Sequence, residues 1–205
     1  MTKTDRLVLS MALSLILLML SVTFFHFWDL CAAVRADSLR LHIVANSDTD
    51  RDQQLKLEVR DAILDEYSSL LGAGNSAQEA TFLATYLSND IALTAKKVLA
   101  REGVSCPVSV SVTEMYFDTR TYAPGVIMPA GNYHALRVVL GDGGGHNWWC
   151  VMYPPLCIPA ATPSACEGIE TRIRALSDAP CYEARFAIVE LTERLLQAAH
   201  SAFGA

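Results

Sequence analysis

Leu39-Arg40-Leu41-His42-Ile43-Val44-Ala45 alternates apolar and polar residues and then turns wholly apolar. That is the pattern of a β-strand, and Asn46-Ser47 end it. Immediately downstream, Ser47, Asp48 and Thr49 are all competent helix N-caps, and Asp50 and Asp52 suit the positive end of a helix. Leu55, Val59, Ala62, Ile63 and Leu70 then recur at helical spacing on one face, until Gly72 and Gly74 stop the helix. A second helix is expected over residues 76–102, with Ala80, Leu83, Leu87, Ile91, Leu93 and Val98 inward. Val108-Ser109-Val110-Ser111-Val112 alternates with period two, so a strand follows to about Phe117.

Residues 118–131 hold Pro124, Gly125, Pro129 and Gly131 and read as loop. Residues 133–140 and 148–153 give two more strands, joined across Gly141-Asp142-Gly143-Gly144-Gly145. Pro154-Pro155 ends the last strand, because proline cannot donate into a ladder. The final helix is expected over residues 182–202, with Phe186, Val189, Leu195 and Leu196 apolar. Strand, helix, helix, three strands, helix predicts one α+β domain over residues 37–205. Its sheet is expected to be mainly antiparallel, of about four strands, with helices packed on one face. No internal repeat and no second domain are visible.

Upstream lies a different kind of sequence. From Leu7 to Trp28 there is no Asp, Glu, Lys or Arg. At about 1.5 Å per residue this run makes a helix of roughly 30 Å, enough to cross a bilayer. Phe24, Phe25, Phe27 and Trp28 stand at its far end, where rings favour the membrane–water interface. Lys3 and Arg6 before it favour a cytoplasmic N-terminus, with the rest of the chain outside. Residues 1–36 are thus expected to be a signal peptide or a membrane anchor. Val34-Arg35-Ala36 suits cleavage before Asp37, whereas the length of the run suits a retained anchor, so both stay open. Leu30-Cys31 lacks the small-residue context of a lipidation site.

The chain has 205 residues, with Lys+Arg 16 against Asp+Glu 22 and net charge −6. No basic excess is available to neutralise phosphates, which argues against nucleic-acid binding. Charged residues make up only 19% and hydrophobic residues 52%, a composition that excludes a disordered tail or a coiled coil. Lys3, Arg6, Arg35, Asp5 and Asp29 are the only charges in residues 1–36, so the domain beyond them stays acidic. An acidic domain does not read as a binder of anionic lipid.

Candidate chemistry is sparse. Asp48-Thr49-Asp50-Arg51-Asp52 imitates the start of a calcium loop, but Gln53 and Val59 stand where Gly and Glu are required. Gly141–Gly145 lacks the Gly-Lys-Ser/Thr of a phosphate loop and precedes a strand, so it is read as a hairpin. Cys150, Cys157 and Cys166 lack the paired spacing of zinc sites, and no metal or other cofactor is expected. A thiol hydrolase would use Cys150 or Cys157 with His134 or His146 as base. Outside the cytoplasm a disulfide is the simpler use of these cysteines. Cys150 and Cys157 could close a tight loop, with Cys106, Cys166 and Cys181 also available. The redox state discriminates the two readings, since a disulfide removes the nucleophile. Trp148 and Trp149 stand side by side, so in a strand one ring faces inward and the other outward. With Tyr153, Pro154, Pro155 and Leu156 they compose a candidate partner surface.

Three blocks resemble a known family. Leu39 to Asp48 followed by Asp52-Gln-Gln-Leu-Lys-Leu-Glu-Val-Arg-Asp61 is similar to the opening signature of stage II sporulation protein R. So are Met128-Pro-Ala-Gly-Asn-Tyr133 and, most specifically, Asn147-Trp-Trp-Cys-Val-Met-Tyr-Pro-Pro-Leu-Cys157. Tyr182 to Glu190 resembles endings in that family, and residues 158–181 are not distinctive. The resemblance implies a non-enzymatic sporulation signal, made in the forespore and exported into the intermembrane space. There it would activate a membrane-embedded aspartic protease of the mother cell, which processes a sigma-factor precursor. No nucleic acid and no small-molecule substrate is implied. On this reading Trp148, Trp149, Tyr153, Pro154 and Pro155 are the first choice for the contact surface, and the segment from Asn46 through Asp48 to Asp52 the second. Besides a thiol hydrolase, an anchored structural protein of the septum is the other alternative. That protein would keep its N-terminal helix and tolerate loss of the tryptophans.

Overall fold

Helix α1 (Lys3–Ala36) runs without interruption from the N-terminus to a two-residue link, after which the chain enters strand β1 (Leu39–Val44). Then come α2 (Asp50–Gly72), α3 (Ala77–Tyr86), α4 (Ser88–Arg101) and β2 (Val108–Phe117). A small hairpin follows, β3 (Arg120–Thr121) with β4 (Ile127–Met128), and then β5 (Gly131–Leu140) and β6 (Asn147–Tyr153). Helix α5 (Tyr182–Phe203) closes the chain. The computed structural model describes residues 2–122, 126–155, 171–173, 175–176 and 182–203.

The sheet has the order β2-β5-β1-β6. The pairs β2–β5 and β1–β6 are antiparallel and β1–β5 is parallel, so the domain is α+β with a mixed, mainly antiparallel sheet. One expectation fails here. Strands β5 and β6 do not pair with each other across the glycines; β1 lies between them. The reason is burial: all six residues of β1 are buried, which only a strand covered on both faces and paired on both edges achieves. The glycine segment instead crosses the end of β1. Gly144 N–H donates to Asn46 O and Gly145 N–H to Ala45 O, each at 3.0 Å. A Cβ at Gly145 would stand 2.3 Å from Ser47 O, so only glycine lets the two chains cross there.

Leu41 and Ile43 register with Leu136 and Val138 of β5 and with Cys150 and Trp148 of β6, all on one face. Helices α2, α3 and α4 pack against it, with Val59, Ile63, Leu71, Ile91, Ala95 and Leu99 buried. Each Val, Leu or Ile among them contributes about 1.5–3 kcal/mol of transfer free energy. Thr49 caps α2 by accepting from Asp52 N–H at 3.3 Å, so the acids of this segment do serve a helix start. Leu70 and Leu93 differ from expectation: both are about half exposed, and Leu71 takes the inward position.

The single helix expected over residues 76–102 is two. Leu87 leaves helical geometry, and the Ser88 hydroxyl, at 2.9 Å from both Ala84 O and Thr85 O, takes up the carbonyls of the broken turn. The segment read as loop contains the β3–β4 hairpin, whose Ile127 and Met128 are buried. On the opposite face of the sheet, Arg40 and His42 are buried among Phe117, Tyr122, Tyr133 and Trp149. The end of α1 and part of α5 pack against β5 as well.

Candidate functional site

The alternation of β6 sends its two tryptophans to opposite faces, as a strand requires. Trp148 is opposite Ile43 and lies under the Arg60 guanidinium of α2, 4.3 Å from the ring centre. Trp149 is opposite His42 and stacks on it, with ring centres 4.1 Å apart and planes at 10°. Phe117 meets Trp149 edge-on at 4.7 Å. Both tryptophans are half-buried. Tyr153 and Pro154 are buried, and Pro155 is half-buried against Gly72, where a Cβ would come within 3.3 Å of its ring. Leu156 lies outside the described residues, and among the described members of this candidate surface the solvent-facing ones are Trp148, Trp149 and Pro155.

His42 Nε2 pairs with Asn147 Oδ1 at 3.0 Å, while its Nδ1 is buried without a partner. Burial holds the imidazole below its usual pKa, against the opposing pull of the Asn147 hydrogen bond. Arg40, fully buried, donates through Nε to Cys150 O at 3.2 Å and through Nη2 to the Tyr122 hydroxyl at 2.5 Å. Phe117, Tyr133 and Tyr122 surround its guanidinium at 4.3, 4.9 and 5.4 Å. Burial also lowers its pKa, with the neighbouring tyrosines opposing the shift.

Asn46 and Asp48 belong to the same end of the sheet, since Val44 registers with Asn147. Asn46 Oδ1 accepts from Asp142 N–H at 3.0 Å, and its amide donates to Asp52 at 2.9 Å. Asp48 Oδ1 accepts from the His146 N–H at 2.6 Å and also pairs with His146 Nδ1. Those hydrogen bonds hold the Asp48 carboxyl below the usual carboxylate range. Lys56 reaches in from α2 and donates to Gln53 Oε1 at 2.6 Å and to His146 O at 3.0 Å. The two segments singled out in the sequence thus meet at one end of the sheet, where β6 begins. At that tip Asp48 and His146 remain more than half exposed.

Among the described residues, the ingredients of a thiol enzyme are not brought together. Cys150 is disulfide-bonded, and a disulfide sulfur carries no thiolate. Its expected partner Cys157 lies outside the described residues, as do Cys166 and Cys181; Cys31 and Cys106 are free. His146 is committed to Asp48, and His134 is exposed on β5 opposite Glu114. Among the described residues, no three His, Cys, Asp or Glu side chains gather as a metal site needs.

A model of the family described as stage II sporulation protein R (spore_II_R) matches residues 35–162. The chain belongs to the stage II sporulation protein R family. The match takes in every strand of the sheet, the Asn46–Asp52 tip and the tryptophan block, and it begins where α1 ends. A family relative, stage II sporulation protein R of Bacillus subtilis (strain 168), is 40% identical over 120 residues. That alignment covers 58% of this chain and 53% of the relative, so it spans about half the relative's length. No solved structure matches the chain. The N-terminal helix beyond the family match is apolar enough to be a signal peptide or membrane anchor.

His42 and Arg60, which hold the two tryptophans, escaped sequence reasoning. Their partners stand 80 to 110 positions away in the chain, roughly, and no local pattern announces a pairing set by sheet register.

Proposed function

We propose that this chain is an exported sporulation signal that activates a membrane-embedded aspartic protease, which then processes a sigma-factor precursor in the mother cell. The observation that carries this reading is membership of the stage II sporulation protein R family. The apolar N-terminal helix supports delivery across the forespore membrane into the intermembrane space. The chain acts as a ligand and does no chemistry of its own. The disulfide at Cys150 favours that role over the thiol hydrolase.

A ligand activates only through tighter binding to the active state than to the inactive one. The surface best suited to this is the end of the sheet bearing Trp148, Trp149, Asn46 and Asp48. It combines aromatic area, which dominates binding energy, with a polar rim of fixed geometry.

The test is co-production of the full chain, the protease and a tagged sigma-factor precursor in a non-sporulating bacterium. Shortening of the precursor only when all three are present is expected. Processing without this chain, or none with it, overturns the reading. Trp149→Ala is expected to abolish processing while the chain remains folded and exported. Full processing by that variant moves the contact surface elsewhere.

A further inference from the structure

Helix α1 is one rod with two environments. Its apolar window has no buried residue, and Leu7, Leu13, Leu17, Leu20 and Val22 are each more than half exposed. From Phe27 onward the same helix belongs to the domain. Phe27 is 3% exposed, and Cys31 and Val34 are fully buried within the core. Phe27 meets Phe186 of α5 edge-on at 5.2 Å, and the Arg185 guanidinium stands 5.7 Å from the Phe27 ring. Arg35 donates to Ala130 O at 3.0 Å and bridges Glu193 at 2.9 Å. Gly131 makes room for it: at φ +136° it carries no side chain, and a Cβ there would stand 2.6 Å from Arg35 Cδ. Beyond Ala36 the buried Ser38 hydroxyl donates back to Val34 O at 2.6 Å.

We propose that residues 27–36 are the stem of the folded domain and that the N-terminal helix is not removed. The chain stays anchored by residues 7–26, with the domain seated directly on the outer face of the membrane. The small residues ahead of Asp37 invite a signal peptidase by composition, but the folded domain is built around the residues that such a cut would remove. Here Val34, Arg35 and Ala36 are helical, and Val34 is inside the core. Removal after Ala36 would strip three core side chains and the Arg35–Glu193 bridge at one stroke. Without a linker between span and stem, the signal would act only on a partner within reach of the membrane surface.

This inference rests on the export reading, and one experiment separates their failures. The full chain, with a C-terminal epitope, is produced in a Gram-positive host. Intact protoplasts are treated with external protease, and membranes are extracted with alkaline carbonate. The expected result is a chain of full-length mass, retained in the extracted membranes and digested from outside. A shortened product beginning at or before Asp37 and released into the medium overturns the anchor while sustaining export. A full-length chain that resists protease in intact protoplasts and is digested after lysis overturns both.

Discussion

The two faces of strand β1 are equally buried and differently built. Leu39, Leu41 and Ile43 turn one way, into the aliphatic layer beneath α2–α4. Arg40 and His42 turn the other way, into rings. The first face is held by removal of apolar surface from water, which needs no particular geometry. The second encloses an arginine whose hydrogen bonds go to a carbonyl and a hydroxyl, so aromatic quadrupoles and these two hydrogen bonds must offset its desolvation. The contrast separates shape-tolerant packing from packing whose members depend on one another.

That contrast can be broken most forcefully at its centre. Arg40→Ala is expected to cost about 3–5 kcal/mol, because it empties the ring cage and removes the Arg40 hydrogen bonds to Cys150 O and the Tyr122 hydroxyl. Denaturant unfolding of the detergent-solubilised chain measures it. Arg40→Met should recover most of that loss; if it does not, the guanidinium hydrogen bonds, not the enclosure, hold this face. On the aliphatic side, Leu41→Ala should cost about 2–5 kcal/mol, and Leu41→Met under about 1.5 kcal/mol. An equally severe Leu41→Met would erase the distinction between the faces.

The tryptophans sharpen the comparison at the edge of the sheet. Trp149→Ala removes the His42 stack and the Phe117 contact and should cost about 1–3 kcal/mol. Trp148→Ala should cost less, about 0.5–2 kcal/mol in all, because its ring carries an arginine at 4.3 Å where Trp149 has a stacked and an edge-on ring. Equal losses would show that the His42 stack adds nothing.

The smallest effect is the dependence on pH. Burial depresses the folded-state pKa of His42 below its usual 6.5. The stabilisation from a neutral His42 is therefore complete above that value and lost as pH falls through the folded pKa. Thermal unfolding of the wild type should weaken between pH 7 and about pH 5 more than that of His42→Gln. Identical pH profiles would mean that His42 does not titrate in this window.

Much of this was legible from the chain alone, for a physical reason. Strands β1, β2, β5 and β6 and helix α2 announce themselves because one-sided burial imprints its period on the sequence. What stayed hidden depends on pairing at a distance. The glycines after Leu140 look like a hairpin because loop chemistry is local, whereas the insertion of β1 depends on both of its edges. The break at Leu87 hid inside a continuous helical pattern, since Ser88 can continue a helix or cap it. At the site, the opposed tryptophans followed from alternation, but the meeting of Asp48 with His146 came only with the folded register. The hydropathy of α1 was plain; its last turns entering the core was not, because an apolar residue reads the same facing lipid or protein.

The central position of β1 also sets an order of events. This strand emerges first, yet both of its neighbours lie far downstream, with Arg40 and Cys150 separated by 110 positions. Until β5 and β6 exist, β1 has two open edges and no sheet to join, and closing so long a loop is entropically costly. Contacts this remote make for slow folding. The core strand thus acts as a timer: the sheet cannot close until the chain has been made as far as Tyr153, and the domain stays unfinished until then.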